Sequence, residues 1–148
     1  MSRRGNPWLA AGGLLSAAAA LLHLAVIVGG PDWYRFFGAG EEMARMAERG
    51  EITPTVVTLA ITLLLATWAA YAFSGAGLIR RLPLIRLALV IISIVYLLRG
   101  LVIAPALALN GTGIDPFTFW SSLIVLVYGL AYAVGTWRAW PSLERQTR

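Results

Sequence analysis

Six polar side chains stand out within the long apolar runs of this sequence: His23, Thr58, Tyr96, Arg99, Ser121 and Ser122. A guanidinium offers five donors in a planar fork that suits a carboxylate or a phosphate. An imidazole exchanges a proton near neutral pH, and hydroxyls orient whatever the cation holds. The residue types therefore read as a binding set for a small anionic or amphipathic molecule. Tyr96 precedes Arg99 by three residues, which puts both on one helix face. Ser121, Val125, Tyr128 and Tyr132 follow one another at spacings of four, three and four, a stripe suited to a helix-bundle interior.

Helical rise predicts that these groups meet at one height. Arg99 lies 16 residues beyond Pro83 and His23 lies 15 beyond Trp8, or roughly 24 Å and 22 Å along their helices. Counted from the other surface, Thr58 falls about 6 Å below Pro54, and Ser121 and Ser122 about 8 Å below Pro116. An arginine in the centre of an apolar helix costs about 2.5–3.5 kcal/mol on insertion, so it needs a partner. The apolar blocks contain no acidic residue, which leaves Asp32, Glu41, Glu42 and Glu51 as candidate partners from the segment outside them. Either one of these carboxylates pins that segment to Arg99, or a ligand supplies the anion. His23 reads equally as an interhelical hydrogen-bond partner, and the serines as bonding back to their own helix.

The elements that must position these groups are four apolar blocks, Trp8–Gly29, Pro54–Leu78, Leu82–Leu109 and Pro116–Trp137. Each approaches the roughly 20 helical residues that cross a bilayer. Of the 148 residues, 59% are hydrophobic and 13% charged, and the mean hydropathy is +0.75. The expected fold is all-α: a polytopic membrane protein, a four-transmembrane-helix bundle forming a single integral membrane domain over 1–148, with helices at about 8–29, 54–78, 82–109 and 116–137. The basic start "MSRRGNPW" before an apolar run resembles a signal peptide, but the run is long and reads as a retained helix.

Helix boundaries carry their own signals. Asn6-Pro7, Thr53-Pro54 and Asp115-Pro116 each place a capping oxygen before a proline, and Pro83 reads as opening the third helix. Gly29-Gly30 and Gly75/Gly77 read as stops. The segment 31–51 is expected to form one or two short amphipathic helices at the outer surface, with Gly50 as a stop. Its first part, "PDWYRFF", offers Trp33, Tyr34, Phe36 and Phe37 as interfacial aromatics that gate the site or merely anchor the segment.

All 12 basic residues are arginines, and the sequence has no cysteine. Thiol, disulfide and thiolate-metal chemistry are thereby excluded, and one histidine without a carboxylate cluster gives no metal ligand set. No cofactor and no nucleic acid is expected, the net charge of +5 notwithstanding. Arg3, Arg4, Arg80, Arg81, Arg86, Arg138, Arg145 and Arg148 flank helix ends, against Arg35, Arg45 and Arg49 in the outer segment. That asymmetry predicts a multi-pass protein with both termini cytoplasmic, and the Ala-, Leu-, Gly- and Arg-rich composition suggests a bacterial inner membrane. The expected partners are the lipid bilayer, a small amphipathic or anionic ligand, and a membrane-protein partner or a second copy of the chain. Besides ligand binding, the pattern admits an accessory subunit of a membrane complex, a membrane-embedded isomerase or lipid-processing enzyme using His23 and Arg99, and a small transporter. The last lacks an intramembrane carboxylate and a repeated half.

Overall fold

The computed structural model describes residues 5–102 and 115–144. Among them every regular element is helical: α1 (Pro7–Gly29), α2 (Pro31–Phe36), α3 (Glu41–Glu48), α4 (Thr53–Ala76), α5 (Ile85–Leu101) and α6 (Pro116–Glu144). Three of these, α1, α4 and α6, are long and apolar enough to cross a membrane. The fourth expected block is helical over 85–101, and its expected end at 103–109 lies outside the described residues, as do Arg3, Arg4, Arg145 and Arg148.

Helix ends follow the local chemistry in most places. Asn6 Oδ1 accepts from the backbone N–H of Trp8 and Leu9 at 3.1 and 3.3 Å, capping α1. Asp115 caps α6 through the Thr118 N–H at 2.9 Å. Together with the Thr118 hydroxyl, that bond holds the Asp115 carboxyl below its ordinary range. At the end of α4, Gly77 takes φ +78° while Leu78 N–H reaches the Phe73 carbonyl at 2.9 Å and Gly77 N–H the Ser74 carbonyl at 3.1 Å. Only a residue without Cβ adopts that left-handed turn at no steric cost. The same pair of bonds ends α3 at Gly50.

Two starts differ from expectation. The Ile52 carbonyl, one residue before Thr53, accepts the first bond of α4, so Thr53 lies inside the helix instead of capping it. Pro83 does not open α5. That helix begins at Ile85, after Leu84 at φ +52°, a left-handed conformation that costs a residue with Cβ about 1–2 kcal/mol.

The helices sort into two compact units, residues 1–16 with 68–148, and residues 17–67. In the larger unit, α5 and α6 run antiparallel at close range. A Cβ at Gly100 would lie 2.7 Å from Leu126 Cα, and one at Gly129 2.9 Å from the Leu97 backbone nitrogen. The first part of α1 adds fully buried Leu9, seated against Gly75 and Gly135. Asn6 Nδ2 fastens this end by donating to the Gly135 carbonyl at 2.7 Å. Leu98, Leu123, Val127 and Leu130 are exposed, whereas Ser16, Ser93 and Ser122 are buried. An exterior so apolar is suited to lipid rather than water.

The smaller unit packs Val26, Tyr34 and Ala44 into a core, with Phe37, Met43 and Ala47 against it. Here α2 and α3 fold onto each other across the Gly38-Ala39-Gly40 break.

Because backbone atoms line the gap at Gly100, no side-chain motion can absorb an added methyl group. Gly100→Ala is expected to destabilise the larger unit by about 1–3 kcal/mol despite alanine's better helix propensity. Thermal unfolding in detergent measures this, and an unchanged or raised midpoint would show that α5 and α6 are not closely apposed.

Candidate functional site

In the larger unit, Arg99 occupies the last turn of α5, where its charge also suits the carbonyl end of the helix. Its Nη1 donates to Ser122 Oγ at 3.1 Å and its Nη2 to Ser121 Oγ at 3.4 Å. Ser121 in turn donates to the Thr118 carbonyl at 3.3 Å. Arg99 is exposed and Ser122 fully buried, so the guanidinium lies on the outside of the α5–α6 seam with one hydroxyl beneath it. Both of its partners are neutral.

Tyr96, one turn earlier, faces inward and belongs to a different arrangement. Its hydroxyl is 2.9 Å from Ser16 Oγ, which is 2.8 Å from Tyr132 Oη. Tyr132 donates to the backbone carbonyl of Trp68 at 3.0 Å. Each hydroxyl has one proton, so the direction of the chain follows: Tyr132 gives to the carbonyl, Ser16 to Tyr132, and Tyr96 to Ser16. Around it the Tyr96 ring meets Trp68 at 4.8 Å, Tyr132 at 5.4 Å and Tyr128 at 5.5 Å between centroids. α1, α4, α5 and α6 all contribute to this knot. Gly12 makes room for it, since a Cβ there would lie 2.9 Å from the Tyr132 ring. Tyr128 and Tyr132 are on the stripe seen in the sequence. Ser16 and Trp68 carry no signal there: one is a lone serine before a run of alanines, and the other acts through its backbone.

In the smaller unit, half-buried His23 places Nδ1 2.8 Å from the Ala19 carbonyl one turn back on its own helix. A carbonyl only accepts, so Nδ1 carries the proton. Thr58 is buried and donates to the Tyr34 hydroxyl at 3.4 Å. Tyr34 itself is only 2% exposed, a core residue, while Trp33 and Phe36 are exposed and Phe37 packs at the core's edge. Asp32, Trp33, Phe36 and Phe37 line an open groove of about 520 Å³.

The carboxylates of this unit are engaged by its arginines. Arg35 reaches Glu48 at 2.7 Å, Glu41 at 2.9 Å and Asp32 at 3.3 Å. Arg45 pairs with Glu41 at 3.2 Å, and Arg49 with Glu51 at 2.6 Å and Glu42 at 3.4 Å. The hydrogen bond from Arg35 pulls the Glu41 carboxyl down to about 2, and the same bond raises Arg35. Arg49 is raised chiefly by Glu51. Among the described residues no group of three or more histidine, aspartate or glutamate side chains is arranged to hold a metal ion.

Comparison with protein-family models, with curated proteins and with solved structures gives no match to this chain.

Two outcomes test this geometry. Ser16→Ala strands the buried Tyr96 hydroxyl without an acceptor, which costs about 1–3 kcal/mol. Adding Tyr96→Phe removes the stranded donor, so the double variant is expected to lose clearly less than the sum of the singles in detergent unfolding; simple additivity would refute the chain. The pairing of Glu41 depends on pH with a definite sign. A carboxyl whose folded value lies below its ordinary one stabilises fully above the ordinary value, about 4.3. That stability is lost as pH falls from there through about 2. Protection of the α3 amides, taken relative to their intrinsic exchange rates, is expected to fall over that window and to lose most of this dependence in Glu41→Gln.

Proposed function

We propose that the chain is a four-span protein of the bacterial inner membrane, both ends cytoplasmic, that binds a small anionic or amphipathic molecule through Arg99, Ser121 and Ser122. α5 is the fourth span in this reading. Its 17 residues make about 26 Å of helix, close to the roughly 30 Å of bilayer hydrocarbon. The short helices α2 and α3 then lie at the outer interface, their aromatic side chains at headgroup depth.

The observation that carries the proposal is that, among the described residues of its own unit, Arg99 meets no carboxylate. Its two hydrogen-bond partners are serine hydroxyls, which fix the guanidinium without neutralising it. The Nε–H donor makes no bond with the described residues, and fully buried Ser122 holds the guanidinium from beneath. A carboxylate or phosphate resting on this edge would receive charge-assisted bonds in a setting of low dielectric. Intramembrane arginines that lack a fixed counter-ion serve such pathways and sites as a rule. His23 gives its Nδ1 proton to the Ala19 carbonyl, which leaves Nε2 as the ring nitrogen that exchanges a proton.

Mass spectrometry of molecules carried through detergent purification tests the reading. The wild-type protein is expected to retain an anionic species, and Arg99→Leu to weaken that retention by about 10- to 100-fold, the worth of one charged hydrogen bond. Ser122→Ala is expected to give a smaller loss. Equal retention by Arg99→Leu rules the assignment out, and a stoichiometric protein in place of a small molecule points to an accessory subunit instead.

A further inference from the structure

The opposite ends of α5 and α6 from Arg99 and Ser121 carry a second set of arginines in another setting. The Arg86 guanidinium lies 4.1 Å above the centroid of the Trp140 ring, and Arg138 lies 5.6 Å from the ring of Trp8. Arg81 donates to the Ser142 carbonyl at 2.7 Å. The side chains of Arg80, Arg86 and Arg138 make no hydrogen bond or ion pair with the described residues. Among the described side chains of this unit Asp115 alone is acidic, and it stands at the start of α6, far along the helix from Arg138.

We propose that this end of the larger unit is a binding surface for anionic phospholipid headgroups, with Arg86 on Trp140 and Arg138 on Trp8 as the two phosphate-holding pairs. A guanidinium donates only in its own plane, so an indole against its face orients the fork and leaves its donors open. Two parallel bonds to phosphate oxygens are the natural use of such an edge. The contrast with Arg35 is direct: there three carboxylates fill the fork, and here no described side chain does. The surroundings select a lipid over free phosphate. Trp8, Trp137 and Trp140 are exposed, as are Leu78, Ile79 and Leu84 in the stretch that joins α4 to α5, so the unit offers indoles for headgroup depth and aliphatic side chains for acyl chains. A basic patch between helices at one membrane face is the setting in which anionic lipids are held. The surface is separate from Arg99: 13 residues of α5 divide Arg86 from it, about 20 Å of helix.

The full chain in nanodiscs of phosphatidylcholine, with and without phosphatidylglycerol, provides the test. Both lipids carry a phosphate, but only the second is anionic. Phosphatidylglycerol is expected to raise the unfolding temperature and to be retained over phosphatidylcholine in native mass spectrometry. Arg86→Gln with Arg138→Gln is expected to weaken that retention about fivefold per arginine removed. Arg86→Lys keeps the charge and loses the planar fork, and is expected to lose retention measurably. The proposal is overturned by any of three results: no preference for phosphatidylglycerol in the wild type, undiminished preference in the double glutamine variant, or an equal rise in unfolding temperature with inorganic phosphate. Should the double variant not fold, the wild-type comparison between the two lipids decides alone.

Discussion

Four helices of the larger unit converge on one directed series of hydroxyls, Tyr96 to Ser16 to Tyr132 to the Trp68 carbonyl. In lipid the side chains on a helix exterior are no worse solvated apart than together, so apolar burial contributes little to holding spans in contact. Hydrogen bonds whose alternatives are unsatisfied groups, and close packing at small residues, do that instead. Both are concentrated here. Gly12 lets α1 approach the Tyr132 ring, Gly100 and Gly129 let α5 and α6 touch along their backbones, and three rings crowd about Tyr96. Every proton in the series has one acceptor, which specifies a single arrangement rather than a family of rotamers.

The arginines show how one side chain acquires different roles from its surroundings. Arg35 is saturated by carboxylates and serves as a clasp between α2 and α3. Its exposure and the nearby water keep the pairs modest in energy, and salt weakens them further. Arg99 is steadied by hydroxyls that leave its charge standing. Arg86 and Arg138 lie on indole faces that orient them without occupying their donors. A fork filled by carboxylates ties two helices together, while one held by hydroxyls or an indole face keeps its formal charge.

Much of the local structure was legible because local structure has local causes. Asn6 and Asp115 cap the helices that follow them, and Gly50 and Gly77 stop the helices before them, for reasons contained within a few residues. The misread starts have the same kind of explanation. Proline suits a first turn but does not compel one, and after Pro83 the chain takes a left-handed residue at Leu84 before α5 begins. The candidate site was legible in part. Ser121 and Ser122 were picked out by depth, and they do lie at Arg99; Tyr96 was grouped with Arg99 by spacing, yet its hydroxyl turns to Ser16. Ser16 and the Trp68 carbonyl could not be found by inspection, since nothing in a serine's neighbours, and nothing at all in a backbone oxygen, announces a partner 64 or more residues away.

By itself the order of residues determined an all-helical chain with three runs long and apolar enough to span a membrane, because length and hydropathy act through each helix alone. It determined, too, that any fixed anion would have to come from the few acidic residues outside those runs. Tertiary structure alone decided which donors meet which acceptors. The acids of residues 32–51 pair with the arginines folded beside them, and within its own unit Arg99 meets two serine hydroxyls among the described residues. The physical reason is that a hydrogen bond depends on distance and angle within tenths of an ångström, and those are properties of packed helices rather than of spacing along a chain.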